Sequence, residues 1–412
     1  MQLLSNDRRL ARAPAEALRF PAGGAGATPL LADDAGIKHI YEGLINGYAG
    51  RFSEIVMHQL RSMPEVQYIE HDRVVHTMGS MDIMIQKGAP WLSLGTLGRY
   101  QYDPRGGEGV DVYVIDSGIN IHHVEFEGRA SWGKTVVCDD VDEDQNGHGT
   151  HCAGTIASRQ YGVAKGARVI AVKVVRADGY GSMSDIIAGI SYAASAAAVN
   201  AAAAQKGYAA TGRTTHKGSV VNMSLGVRGV SRAANQAVDV AVVHFVSRQS
   251  SPASADKAIT VGASTQNDER AYFSNHGPCV DVFAPGLNVP STFKGAPDAT
   301  ASISGTSMAS PHTAGLVAYL LGIYPSATFD SALALETPAP AAQSTFDVYT
   351  LLRAMLPRPF ASLLPAVRPA RADTLTPAQM KSALLGLATR GALSDLPAHT
   401  PNRLVFNNAT EV

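Results

Sequence analysis

The sequence predicts an α/β protein: a central, mostly parallel sheet with helices on both faces, preceded by a small α+β unit. Two observations carry this prediction. Five β-branched runs, VDVYVID, ARVIAVKVV, SVVNMSL, VAVVHFV and AITVGAS, recur between residues 108 and 324, with helical stretches between them. Their near-continuous hydrophobicity suits strands buried on both faces of a parallel sheet. Ahead of them, residues 37–78 carry a shorter strand–helix–strand pattern.

In chain order, residues 1–36 read as irregular, with a Gly/Ala run at Ala22–Ala27. GLINGYAGRF then reads as a strand, and Ser53 as the cap of a short helix through Met63, stopped by Pro64. VQYIEHDRVV follows as a second strand. This unit, residues 37–85, is small enough to be marginal alone. Residues 86–324 hold the alternating strands and helices. Seven prolines fall between Pro325 and Pro369, so residues 325–373 read as an extended insert. In residues 374–412, Thr376, Pro377 and Gln379 spell a capping box and a first-turn proline, and RLVFNN closes the chain as a strand.

Composition excludes several classes. Lys and Arg number 34 against 35 Asp and Glu, a net charge of −1 over 412 residues. A protein that coats nucleic acid needs a basic surface, so no nucleic-acid partner is expected. Three cysteines allow at most one bridge, which excludes a disulfide scaffold. No signal peptide is visible, because Asp7, Arg8, Arg9, Arg12, Glu16 and Arg19 interrupt any apolar core between Met1 and Phe20. Ile186 to Gln205 carries no charge, but alanine is too weakly apolar for a bilayer span. A buried or half-buried helix is expected there, with no membrane span.

Three segments carry chemistry. YVIDSGIN ends a buried strand in Asp116, and ligands of open parallel sheets bind beyond the carboxyl ends of strands. NGHGTHCAGTIAS places His148 among small residues opening a helix. SGTSMASPHTAGLVAYLLGIY places Ser307 at the start of a long apolar helix. A serine hydroxyl needs a base to take its proton, and a buried carboxylate holds the histidine in the right tautomer. A helix N-terminus at Ser307 points its N–H groups at a developing oxyanion. Asp142, Asp144, Asn146 and Gly147 match the first half of an EF-hand loop, but the twelfth position is Ala153, so a solvated acidic loop is the reading. His148 and His151 lack a third zinc ligand pattern. No metal and no cofactor are expected.

Asp116, His148 and Ser307 stand in the chain order of subtilisin, and with GHGTHCAGT and SGTSMASPH the chain resembles the subtilisin-like serine proteases. The likeness is nearest to the proteinase K and cerevisin group of fungal, often vacuolar, endopeptidases. The resemblance implies hydrolysis of polypeptide substrates through an acyl-enzyme, in the vacuole or outside the cell. It implies that Gly181, Ser182 and Met183 line one side of the substrate cleft, with Ser224, Leu225 and Gly226 on the other. It implies that residues 37–85 are a propeptide, an intramolecular inhibitor removed by self-cleavage between His76 and Pro90.

The pattern breaks in three places. The family's Ala-Ala-Gly-Asn turn, whose asparagine completes the oxyanion hole, is missing where Val240–Ser247 runs through Arg248, Gln249 and Ser250 to Ser251-Pro252. Only the Ser307 backbone N–H remains as an expected oxyanion donor, which implies impaired activity. The alternative is a catalytically inactive homologue that binds peptides or regulates. The link after GAPW is short, and no first propeptide strand is visible before Ile37. Cys279 resembles a position that pairs with a cysteine of the missing stretch, so no disulfide is expected. Cys152, four residues after His148, is expected to be a site of inhibition by bulky thiol reagents.

Overall fold

Gln2–Ser5 (β1), Gly36–Tyr41 (β2), Gly47–Arg51 (β3) and Val66–Glu70 (β4) form one antiparallel sheet in the order β2–β3–β1–β4 in the computed structural model. The structure describes residues 2–5, 36–77, 79–80, 100–138, 140–241, 250–251, 253–326, 328–329 and 375–409. Strand β1 corrects the reading of residues 1–36 as irregular and supplies the strand that was missing before Ile37. Four residues, QLLS, are too few to display a period. Pairing with β3 and β4 on both edges makes them a strand. Helix Glu54–Ser62 (α1) starts as expected: the Val56 N–H donates to Ser53 Oγ at 3.4 Å, and Val56 and Leu60 pack beneath Tyr48.

VQYIEHDRVV is not one strand. His71, Asp72 and Arg73 divide it, and Val74–Thr77 (β5) leaves the first sheet altogether. It pairs instead with the second unit, as does Gly79–Ser80 (β6).

The second unit is built on Val110–Asp116 (β7), Ala130–Thr135 (β8), Arg168–Lys173 (β9) and Gly218–Asn222, all parallel. Alternation along β7 sends Val110, Val112 and Val114 to one face and Tyr113 and Ile115 to the other, and both sets are buried. Helices His148–Ala157 (α2) and Thr306–Ile323 cover the first face, through Cys152, Ile156, Met308 and Leu316. Met183–Thr211 (α3) and Arg232–Ala241 (α4) cover the second, through Met183, Ile186, Ile187 and Ala234. Both faces being covered explains why the strands read as unbroken apolar runs.

Two run boundaries differ from the expectation. Val240 and Ala241 close helix α4 rather than opening a strand; the rest of VAVVHFV lies outside the described residues. SVVNMSL breaks after Asn222, and Leu225–Arg228 becomes a separate strand running beside β5. Helix α3 is 29 residues long, and among the described residues it alone is long and apolar enough to cross a membrane. Its first third packs on the sheet, and no residue beyond Ala193 is fully buried. At the carboxyl end of the chain, Thr376 caps helix Pro377–Leu387 in the expected capping box. Arg403–Leu404 then adds to Phe283 as a short parallel strand.

Candidate active site

Asp116 ends β7 with its side chain fully buried. His148 is the first residue of α2, and Ser307 the second of the helix Thr306–Ile323. Two glycines let α2 begin here. Gly147 adopts φ 99°, and a Cβ on it would lie 2.6 Å from the Phe293 ring. A Cβ on Gly149 would lie 2.1 Å from the Gly118 carbonyl oxygen. The helix start therefore presses against the loop after β7, which places the imidazole over Asp116.

His148 Nδ1 lies 2.9 Å and 3.0 Å from the two Asp116 carboxylate oxygens. An ionised carboxylate only accepts, so Nδ1 carries the proton and Nε2 is left to act as a base. Burial disfavours the imidazolium, but the Asp116 carboxylate outweighs it and holds His148 well above the ordinary histidine range. Its Nε2 is buried with no hydrogen-bond partner among the described residues, and Ser307 Oγ donates instead to the Ser224 carbonyl at 2.9 Å. Histidine and carboxylate are thus paired, and the Ser307 hydroxyl is turned onto the chain that faces β5.

The acidic loop is not solvated as a whole, which corrects the sequence reading. Asp144 is 3% exposed. Its Oδ1 accepts from Ser117 Oγ, the Asn146 N–H and the Gly147 N–H at 2.8, 3.1 and 2.7 Å; its Oδ2 accepts from the Thr150 N–H at 2.9 Å and from the Thr150 hydroxyl. Ser117 Oγ in turn accepts the Gly149 N–H at 3.0 Å. One carboxylate therefore laces the Asp116 turn to the first turn of the His148 helix.

His151 and His312 are structural. Burial pushes them down to about 3 and about 4, so both are neutral, and they bond the Val289 and Met308 carbonyls. Cys152 is fully buried, with its thiol pushed up by burial. This corrects the expectation for bulky thiol reagents, which have no surface to approach. Sγ lies 3.9 Å from His148 Nδ1 and donates to the Ser307 carbonyl at 3.6 Å. Asp116, His148 and Cys152 offer ligand atoms within 4.8 Å of one another, but the histidine nitrogen among them is already bonded to Asp116. All three cysteines are free.

Four of the six residues assigned to the cleft pair with the chain's own β5. Tyr180–Ser182 runs antiparallel to it, with Gly181 opposite Val75 and Ser182 opposite Val74. On the other edge Leu225 is opposite Thr77 and Gly226 opposite His76. The Met183 N–H donates to the Arg73 carbonyl at 2.9 Å, and Ser224 receives Ser307 Oγ. Further along, Gly79 and Ser80 pair with Gly305 and Ser304, a contact the sequence did not disclose. Gln249 lies outside the described residues. Asn222 and Asn235 are engaged elsewhere, with Ser310 and Ser224, and with Ser251 and Ser254.

The first unit holds the second through acids at helix starts, also missed in the sequence. Glu70 accepts from the Arg232 and Ala233 N–H groups and from Ser231 Oγ at the head of α4. Asp72 accepts from the Ser184 N–H at 2.9 Å and its hydroxyl at 2.6 Å at the head of α3. Lys38 and His39 both reach Asp185. Glu70 ends strand β4, and Asp72 follows it two residues on.

A sequence profile of the subtilase family matches residues 107–337, and one of the peptidase inhibitor I9 family matches residues 26–78. The chain is 47% identical over 396 residues to the subtilisin-like serine protease Pen c 2 of Penicillium citrinum, covering 90% of this chain and 77% of that protein. It is 46% identical over 400 residues to Cla h 9.0101 of Davidiella tassiana, covering 91% and 68%. To alkaline protease 2 of Aspergillus fumigatus it is 45% identical over 396 residues, covering 90% and 71%. A crystal structure of a cold-adapted subtilisin-like serine proteinase superposes with a TM-score of 0.54 at 31% identity, covering 79% of this chain and 96% of that one. With an I9 inhibitor unit ahead of a subtilisin-like sheet, the chain belongs to the subtilase family of serine proteases.

Proposed function

We propose that this chain is the zymogen of a serine endopeptidase that cuts polypeptides through Asp116, His148 and Ser307. The observation that carries the reading is β5, an extended segment lying between two antiparallel edges beside Ser307 as a substrate strand would. Ser307 Oγ attacks the scissile carbonyl as its proton passes to His148 Nε2, and Asp116 stabilises the imidazolium. His148 returns the proton to the leaving amine, and water then hydrolyses the acyl-enzyme by the same route.

The Ser307 N–H, at a helix start, serves the oxyanion. Loss of the asparagine donor in subtilisin costs about 10²–10³ in rate, roughly 2.7–4 kcal/mol, and a deficit of that order is assigned here. Gly181, Ser182, Met183, Ser224, Leu225 and Gly226 bind the non-prime side of the substrate, and Ser304 and Gly305 the prime side.

The unit from Gln2 to Thr77 is the inhibitor, and self-cleavage falls between Met78 and Gly79. Support comes from the flanks: Thr77 is opposite Leu225 on one side, and Gly79 opposite Gly305 on the other. The vacuole or the extracellular space is the assigned compartment, on family resemblance.

The test uses the purified full chain and Ser307→Ala. The wild-type chain is expected to take a fluorophosphonate label, cleave casein and yield a mature N-terminus at Gly79, and Ser307→Ala to do none of these. Absence of any Ser307-dependent label would leave the catalytically inactive, peptide-binding reading in its place.

A further inference from the structure

The acidic loop ahead of His148 is gripped by a cation that the chain supplies itself. Lys173 closes β9 and is fully buried. Its Nζ lies 2.8 Å from the Glu143 carbonyl, 3.1 Å from Asp140 Oδ1, 3.3 Å from the Val141 carbonyl and 3.4 Å from Gln145 Oε1. Four oxygens of three chemical kinds thus surround an ammonium that has three protons. An ammonium with no exposure is tolerated only when oxygens replace its hydration shell in this way.

The position of Lys173 matters as much as its partners. In the sheet it is the register partner of Asp116, and the next N–H, of Val174, donates to the Asp116 carbonyl at 2.8 Å. The loop is therefore held from two sides. Oxygens of residues 140, 141, 143 and 145 turn to Lys173, while the N–H groups of residues 146, 147 and 150 turn to Asp144. The next residue after Gly147 is His148.

We propose that Lys173 is a positioning residue for His148: its ammonium is an internal cation that fixes the 140–147 loop, and with it the first turn of α2, against the end of the Asp116 strand. The half-match to a calcium loop acquires a meaning on this view. The loop has oxygens to offer, and a lysine from the neighbouring strand takes the place a metal ion would fill.

The inference rests on the Asp116–His148–Ser307 reading, and its test separates the two. In Lys173→Met the side chain keeps its length and loses its charge. With active-site-titrated enzyme, kcat is expected to fall about 10- to 100-fold with KM nearly unchanged, as for a misplaced catalytic group. The His148 titration followed by NMR is expected to move down, toward the ordinary histidine range. Lys173→Ala leaves a cage open to a small cation, so n-propylammonium chloride is expected to restore kcat where sodium chloride at equal ionic strength does not.

A folded Lys173→Met with unchanged kcat and unchanged His148 titration overturns the proposal, as does equal rescue by sodium chloride. Should both lysine variants fail to melt cooperatively, Asp140→Asn decides by the same two readouts, and no change in either overturns it. A wild-type chain that hydrolyses nothing sinks the triad reading, while the His148 titration still tests Lys173.

Discussion

Pro311 sits in the helix that begins with Thr306, and its ring nitrogen cannot donate to the carbonyl four residues back, which belongs to Ser307. The Cys152 thiol donates there instead. One buried cysteine thus satisfies the Ser307 carbonyl and lies against His148. Cys152→Ser keeps a donor and is expected to retain most activity. Cys152→Ala leaves the carbonyl open, and losing about 1 kcal/mol of hydrogen bonding predicts a fall in kcat/KM of about fivefold. Active-site-titrated kinetics of the two variants check this.

The protonation of His148 follows the same local logic. A base must be neutral to take the Ser307 proton, and the Asp116 carboxylate overcomes burial to hold His148 well above the ordinary range. The acid limb of kcat/KM is therefore expected above the usual imidazole range, with activity rising as pH rises through it. For stability the sign is opposite: the raised value favours the folded state at low pH, and that contribution is lost as pH rises through the folded-state value. In Asp116→Asn the acid limb should move down and kcat should fall by orders of magnitude. A pH–rate profile of both enzymes tests the shift.

Elements decide how the inhibitor is held. Helices α3 and α4 both begin at the interface between the two units, and their unpaired N–H groups face Asp72 and Glu70. An anion at a helix start is worth about 0.3–1 kcal/mol, up to about 2 when partly buried. The double variant Glu70→Ala, Asp72→Ala is expected to weaken inhibition by the separated propeptide by about 10-fold or more on that scale. Inhibition constants against the mature enzyme would reveal it. Neither acid was legible as functional in the sequence, because each acts on a helix more than 100 residues away. Helix α1 shows the opposite case. Its cap, Ser53, and its stop, Pro64, are local, and the expectation held to within a residue or two.

Across the whole molecule, two short strands of the first unit, β5 and β6, pair with the second. Residues 74–77 and 79–80 belong to strands whose partners lie near residues 180, 225 and 305. The sheet of the first unit is therefore continuous in chain, though separate in hydrogen bonding, with the strand that pairs with Tyr180–Ser182 and Leu225–Arg228. In the second unit β7, which ends in Asp116, lies inside the sheet, and α2 and the Thr306–Ile323 helix, which carry His148 and Ser307, share one of its faces.

The sequence by itself determined the family and the α/β class, and it singled out Asp116, His148 and Ser307 for the proposed triad. Each rests on motifs a few residues long or on runs of apolar side chains, and such features are written locally. Tertiary structure alone decided that Gln2–Ser5 is a strand, that VQYIEHDRVV divides between two units, and that Asp144 and Lys173 are buried around the same loop. These outcomes depend on partners distant in the chain. A charge string reads as solvated until the fold brings a buried ammonium and a row of N–H groups against it.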